Sequence, residues 1–105
     1  GLNIYSKEVE LALIEHQLVA DAAVIGVPDV EFGESVMAFV QMEDGGELSA
    51  DALIDHCRER IASYKKPKYV RFIEALPVTG TGKVQKQVLR RSVEDEFKAD
   101  AAALA

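Results

Sequence analysis

Two apolar runs decide the fold: Ala23-Val24-Ile25-Gly26-Val27, which stops at Pro28, and Val36-Met37-Ala38-Phe39-Val40, which stops at the acidic glycine turn of Glu43 to Gly46. Both have the length and composition of strands, and turn-forming residues bound them. They are expected to pair as neighbours around the loop Asp29 to Glu34, where Gly33 permits a tight turn. On the N-terminal side, Val9, Leu13, Ile14 and Leu18 recur at helical intervals between Glu8, Glu10, Glu15 and Gln17. This predicts a helix from Ser6 to about Ala20 with Ser6 as its N-cap. On the C-terminal side, a second helix is expected after Ser49, with Leu53, Ile54, Cys57 and Ile61 on its buried face. A third strand, Tyr69-Val70-Arg71-Phe72-Ile73, follows Pro67. A last helix from about Gln85 turns Val88, Leu89, Val93 and Phe97 inward and ends in an Ala-rich tail expected to fray. The predicted fold class is α+β, a small three-stranded sheet flanked by about three helices.

The chain has 105 residues, enough for one domain and one core, so residues 1–105 are read as a single domain. With 49% apolar and 29% charged residues, it is neither a disordered tail nor a fibrous repeat. The longest apolar stretch, Ala22 to Pro28, falls far short of the roughly 18 residues of a membrane span, and no signal-peptide pattern opens the chain. A soluble, cytoplasmic setting is expected. Cys57 is the only cysteine, which excludes an intrachain disulfide and a cysteine-rich zinc site. Its place on the apolar face of the second helix makes it a core residue rather than a nucleophile. His16 and His56 lack ligand spacing and are read as solvated, so no metal site is expected. The start at Gly1 rather than Met suggests a fragment or an excised domain.

Net charge is −6, but it is segregated. Residues 1–57 hold Lys7 against twelve acids, for −11. Residues 58–91 hold ten bases (Arg58, Arg60, Lys65, Lys66, Lys68, Arg71, Lys83, Lys86, Arg90 and Arg91) against Glu59 and Glu74, for +8. A basic block in an acidic protein fits small-anion capture, because local field rather than net charge governs it; solvated lysines scattered over several faces fit equally.

Between the third strand and the last helix lies Leu76-Pro77-Val78-Thr79-Gly80-Thr81-Gly82-Lys83-Val84-Gln85-Lys86. Its glycines and threonines describe a mobile loop that can bring backbone amides and one ammonium to a ligand. It is not a phosphate-binding P-loop: Pro77 stands where that motif needs its first Gly, and Val84 stands where it needs Ser or Thr.

In order along the chain, four motifs resemble those of the small C-terminal domain of the adenylate-forming enzymes, the superfamily of acyl-CoA synthetases, peptide-synthetase adenylation domains and luciferases. The first is Gly1-Leu2-Asn3-Ile4-Tyr5-Ser6-Lys7-Glu8-Val9-Glu10, with Ser6 where the family usually has Pro. Val24-Ile25-Gly26-Val27-Pro28-Asp29 with Phe32-Gly33-Glu34 is the second, and Tyr64-Lys65-Lys66-Pro67-Lys68 the third. The fourth is Leu76-Pro77 with Thr79-Gly80-Thr81-Gly82-Lys83-Val84. Any one would be weak; together, in order, they are specific.

The resemblance implies a two-step ligase, in which a carboxylate joins the α-phosphate of ATP and the acyl group then passes to a thiol such as coenzyme A. It implies Lys83 as the catalytic lysine of the first step. An ammonium can bridge the carboxylate and the charge gathering on the α-phosphoryl oxygens, and lysine is a flexible point charge suited to a loop that must leave again. It also implies that Gly1, Asn3 and Tyr5 belong to the loop along which the pantetheine arm passes. Lys65, Lys66 and Lys68 are candidates to meet the phosphates of CoA or ATP, with solvated lysines beside a strand the equal alternative for each; Gly82 and Lys86 complete the binding candidates, Lys86 being expected, with Arg90, to face the large domain. The partner would be a large N-terminal domain holding the ATP and acyl pockets and Mg²⁺, so that residues 1–105 alone would be inactive.

Rival readings are an adenylation domain serving a carrier protein, a luciferase-like oxygenase, and a stand-alone relic of the same fold. Lys83 is also a plausible acetylation target. From another class comes a nucleic-acid-binding module, for which Tyr64 to Phe72 interleaves bases with aromatics. The acidic net charge and the demands of the strand on Val70 and Phe72 speak against it, and no nucleic-acid partner is expected.

Overall fold

The two apolar runs lie side by side. In the computed structural model, which describes residues 3–105 and side chains from Ser6 onward, β1 (Val19–Asp29) and β2 (Gly33–Met42) form an antiparallel hairpin. Gly33 faces Asp29 across the turn with φ +82°, a conformation that favours glycine. On the other side of β2, β3 (Tyr69–Ile73) pairs in parallel, from Met37 opposite Tyr69 to Gln41 opposite Ile73. The order is therefore β1-β2-β3, with β2 central. Val36 to Val40 are all buried, as expected where a strand is covered on both faces. A parallel neighbour needs a crossover, and α2 (Ala50–Arg58) lies on it. Its N-cap is Ser49, whose Oγ accepts a hydrogen bond from the Ala52 N–H at 3.0 Å.

Strand alternation divides the core into two layers. On one face Ala22, Val24, Val36, Ala38 and Val40 pack with Val9 and Leu13 of α1 (Asn3–Ile14) and with Leu53 and Cys57 of α2. On the other face Ala23, Ile25, Val27, Met37 and Phe39 pack with Leu76, with Leu89 and Val93 of α3 (Lys86–Val93), and with Phe97. A register irregularity between Val19 and Asp21 turns Val19 to the same layer as Ala22.

The free edge of β1 is covered by its own chain. The Val24 N–H donates to Glu10 Oε2 at 2.8 Å, the Ala22 N–H donates to Asp21 Oδ1 at 2.8 Å, and Pro28 has no N–H. Lys86 Nζ meets the same Glu10 oxygen at 2.9 Å, so the start of α3 is tied to α1 around that edge. Charge and proline on an outer strand are recurrent defences against unwanted pairing.

The α+β architecture and its three strands are as expected, with several differences in detail. The first helix opens at Asn3 and ends at Ile14, so Ser6 is a buried residue within it rather than its cap, and Asn3 and Tyr5 are helical rather than loop. Leu18 lies beyond it: the chain turns after Ile14, and the Leu18 N–H donates to His16 Nδ1 at 3.1 Å. Leu18 extends the helical spacing by coincidence, while Ala12 is buried where Ile14 is 40% exposed. The last helix breaks after Val93 into a 3-10 turn (Glu94–Phe97) and resumes as α4 (Lys98–Leu104), so the Ala-rich tail is helical rather than frayed. Val88 and Phe72, expected inside, are about two-fifths exposed, at 41% and 38%.

Candidate functional site

Immediately before α3 the chain makes a second, very small hairpin. Val78 pairs with Val84, the Thr79 N–H donates to Lys83 O at 2.8 Å, and the Gln85 N–H donates to Pro77 O at 2.8 Å. The connection is Gly80-Thr81-Gly82, with the Gly82 N–H donating to Thr79 O at 2.9 Å and Gly82 at φ +86°. A turn followed by one left-handed residue is a standard three-residue hairpin loop, and it explains the second glycine. Thr79 Oγ1 accepts from the Lys83 N–H at 3.2 Å and lies 3.0 Å from Thr81 Oγ1. The segment read as a mobile loop is thus a closed hairpin. With the amides of Thr79, Gly82 and Lys83 bonded inside it, the group it presents is the exposed Lys83 side chain, which has no ion-pair partner among the described residues.

Most of the basic block is not free in this way. Lys65 meets Glu8 at 2.9 Å, Lys68 meets Asp29 at 2.8 Å, Arg71 meets Glu96 at 2.7 Å and Lys86 meets Glu10 at 2.9 Å. Arg58 pairs with Asp55 at 3.1 Å and Arg60 with Glu15 at 3.0 Å. Six of the ten bases therefore answer acids, five of them from the acidic first half of the sequence. Lys65 and Lys68, expected to meet ligand phosphates, and Lys86, expected to face the large domain, are among the six. The acidic stretch from Glu8 to Asp55 is in part the counter-charge of this block. Arg71 and Glu96 exchange two hydrogen bonds, at 2.7 Å each, which raise the guanidinium pKa and lower that of the carboxyl.

Lys66 keeps its charge available, since among the described residues its ammonium donates to neutral groups, Ser63 O at 3.2 Å and Ser63 Oγ at 3.1 Å. It lines a groove of about 420 Å³ between the β1–β2 turn and the segment leading into β3. Phe32, 70% exposed, lines it with Ser35 from the side of the β1–β2 turn, and Tyr64, 73% exposed, lines it with Lys68 from the segment leading into β3. In the sequence Phe32 is a motif letter without a role, and Tyr64 has one only in the rival nucleic-acid reading. The signal was a phenylalanine placed in a polar turn beside Gly33. The stretch Tyr64 to Phe72 does not form one stacking surface: Val70 packs in one core layer, Tyr69 and Ile73 pack in the other, and Arg71 is held by Glu96.

The histidines are not solitary. Their rings meet edge to face at 5.0 Å, His56 Nε2 lies 2.7 Å from Ala12 O, and His16 Nδ1 accepts from the Leu18 N–H. Burial first, then His56 and Arg60, lower the His16 pKa. Cys57 is fully buried, and burial pushes its thiol up to about 11, which suits a core residue. Among the described residues no three His, Cys, Asp or Glu side chains gather as metal ligands would, and no helix is long and apolar enough to cross a membrane. Gly1 lies outside the described residues; Asn3 and Tyr5 form part of the first turn of α1.

Known proteins are similar to this chain in sequence and fold. A long-chain-fatty-acid–CoA ligase of Bacillus subtilis (strain 168) is 43% identical over 96 residues, which are 91% of this chain and 17% of that protein. The crystal structure of apo MatB from Rhodopseudomonas palustris superposes with a TM-score of 0.84 at 38% identity, over 90% of this chain and 19% of that one. The amide bond synthetase McbA from Marinactinospora thermotolerans superposes with a TM-score of 0.79 at 38% identity, over 83% and 18%. The chain thus spans less than a fifth of the length of these proteins. Its residues 8–83 match the sequence profile of the AMP-binding enzyme C-terminal domain. Because that match takes in the greater part of the chain, from the first helix to the exposed lysine, the protein belongs to the AMP-binding enzyme C-terminal domain family.

Proposed function

We propose that residues 1–105 work as the C-terminal domain of an ATP-dependent acyl-CoA synthetase, which converts a carboxylic acid and ATP to an acyl-adenylate and then to a CoA thioester. In this reading Lys83 is the catalytic lysine of adenylation, and a large N-terminal domain supplies the ATP and acyl pockets, any Mg²⁺, and the rest of a cytoplasmic enzyme. The observation that carries it is the exposed Lys83 side chain on a closed hairpin, without an ion-pair partner among the described residues, in a chain whose other cations are mostly neutralised. A carboxylate and a triphosphate repel each other, and a cation delivered between them as charge develops lowers that barrier. A hairpin fixed by internal hydrogen bonds delivers the cation without having to order a loop at the same time.

The same reading gives the groove between Phe32 and Tyr64 to the nucleotide end of CoA. Aromatic faces suit a base, and Lys66 suits a phosphate. Lys65, Lys86 and Gly82 then act indirectly: the two lysines through their ion pairs with Glu8 and Glu10, the glycine by shaping the hairpin. Gly1, Asn3 and Tyr5 are assigned to the pantetheine path. A second reading, in which the acyl group goes to an amine, is supported by the likeness to McbA.

The test is Lys83→Ala in the complete synthetase. Adenylation, followed as acid-dependent pyrophosphate release, should fall by the ~10²–10³ typical of losing one preorganised donor to developing charge, while transfer from preformed acyl-adenylate to CoA is kept. Equal loss in both steps would remove Lys83 from this role, and transfer to amines but not to CoA would favour the second reading.

A further inference from the structure

We propose that Asp29 is the positioning residue of the Phe32–Tyr64 groove, joining its two walls through one carboxylate so that nucleotide binding depends on Asp29 without Asp29 touching the nucleotide. The proposal rests on the reading that this groove takes the nucleotide end of CoA. Asp29 is the last residue of β1 and is only 2% exposed. Its Oδ1 accepts from the amides of Glu31 at 2.9 Å and Phe32 at 3.1 Å, which sets the turn and the direction in which Phe32 leaves it. Its Oδ2 accepts from Ser35 Oγ on β2 and from Lys68 Nζ at 2.8 Å.

A hairpin turn needs only the first oxygen, and Asn or Asp serves equally well there. The second oxygen reaches out of the hairpin to the opposite wall, where the Lys68 N–H also donates to Val36 O at 2.9 Å. Burying a carboxylate is costly unless every lone pair is used, and here four donors use them. The hydrogen bond from Lys68, first, and those from Ser35 and the Phe32 amide hold the carboxyl well below the usual carboxylate range. The carboxylate is therefore ionised, and the tie in place, at neutral pH. Its chemistry also bears on Lys68: with its ammonium spent on Asp29, Lys68 fixes the wall that leads into β3, and Lys66 is left to meet the phosphate.

The experiment is an NMR titration of the 105-residue chain with adenosine 3′,5′-bisphosphate as the probe. Asp29→Asn keeps a carbonyl oxygen for the turn amides and removes the acceptor for Lys68. The expected result is a dissociation constant about tenfold weaker, with the dispersed spectrum of the fold retained. Asp29→Asn/Lys68→Met should be no weaker than Asp29→Asn alone, because both changes break one connection. Arg71→Gln breaks an ion pair away from the groove and should leave the constant unchanged, which a general loss of stability would not. If Asp29→Asn does not fold, Ser35→Ala is the second variant and should weaken binding about threefold.

Unchanged or tighter binding in a folded Asp29→Asn chain overturns the proposal, tighter binding meaning that release of the Lys68 charge outweighs lost order. So does an Arg71→Gln chain weakened as much as Asp29→Asn. If Phe32→Ala and Lys66→Met leave the constant unchanged, or the unsubstituted chain shows no shifts, the groove reading itself fails and takes the proposal with it. If those two variants weaken binding and Asp29→Asn does not, the proposal alone fails.

Discussion

Gly80 and Gly82 make a matched pair for testing whether the Lys83 hairpin is a built device. Neither glycine has a neighbouring heavy atom within 4 Å of where a Cβ would stand, so an added methyl group meets nothing at either position. They differ in backbone conformation, since Gly82 alone has a positive φ, +86°. An L-residue forced into the left-handed region loses roughly 1–2 kcal/mol, and alanine gains roughly 0.4–1 kcal/mol by restricting the unfolded chain. Gly82→Ala should therefore cost about 1 kcal/mol net, and Gly80→Ala should be neutral or slightly stabilising. Because the hairpin opens locally more easily than the whole domain unfolds, the cost is expected first in the amide exchange of Thr79 and Lys83. A penalty of that size is about a fivefold faster exchange. The assay is hydrogen exchange by NMR on both variants, with pyrophosphate release in the complete synthetase alongside. Equal exchange rates in the two variants would refute the argument that a left-handed Gly82 holds the loop closed.

Four further outcomes follow from the same geometry. Ser49→Ala removes the α2 cap and should cost about 1 kcal/mol in urea unfolding, with Ser49→Asp close to neutral. Phe39→Ala, at the centre of the middle strand and 2% exposed, should cost about 3–5 kcal/mol, enough to leave much of the chain unfolded. The Cys57 thiol, buried with a pKa of about 11, should resist iodoacetamide at pH 8 until denaturant is added; fast labelling of the folded chain would contradict its place in the core. The carboxyls of Asp29 and Glu96 and the His16 ring all have lowered pKa values, so each contributes stability that is present above its unfolded value and lost as pH falls. Urea midpoints should accordingly drop in two stages, first below about pH 6.5 and again below about pH 4, and Glu96→Gln should flatten only the second.

The sequence was most informative where one local rule acted alone. The β1–β2 hairpin, the start of α2 after Ser49, the core role of Cys57 and the bounds of β3 follow from apolar runs, a turn glycine and helical spacing, and all are present. It was less informative where two rules overlapped. Leu18 fits the helical spacing set by Ile14, yet the turn at His16 claims it first. Lys65 and Lys86 were legible as cations but not as partners of Glu8 and Glu10, because those contacts join opposite ends of the chain. The groove was hidden for the same reason, since its walls meet only once β3 has docked beside β2. Lys83 stands out in the sequence through its motif; that its loop is a hairpin, with amides turned inward, became legible only from the hydrogen bonds.

The mixed sheet also dictates an order of assembly. β1 and β2 are joined by Val30 to Phe32, a loop whose closure costs little chain entropy and which the Asp29 carboxylate sets locally. β3 pairs with β2 in parallel across residues 43–68, so it gains nothing until α2 has packed under the sheet. Substitutions in the hairpin should thus slow refolding, while those in β3 should mainly speed unfolding, a division that stopped-flow measurements on Val24→Ala and Val70→Ala would reveal. The last strand to arrive is the one that brings Tyr64 and Lys66 against Phe32, so the groove is completed only after the β1–β2 hairpin and α2 are in place.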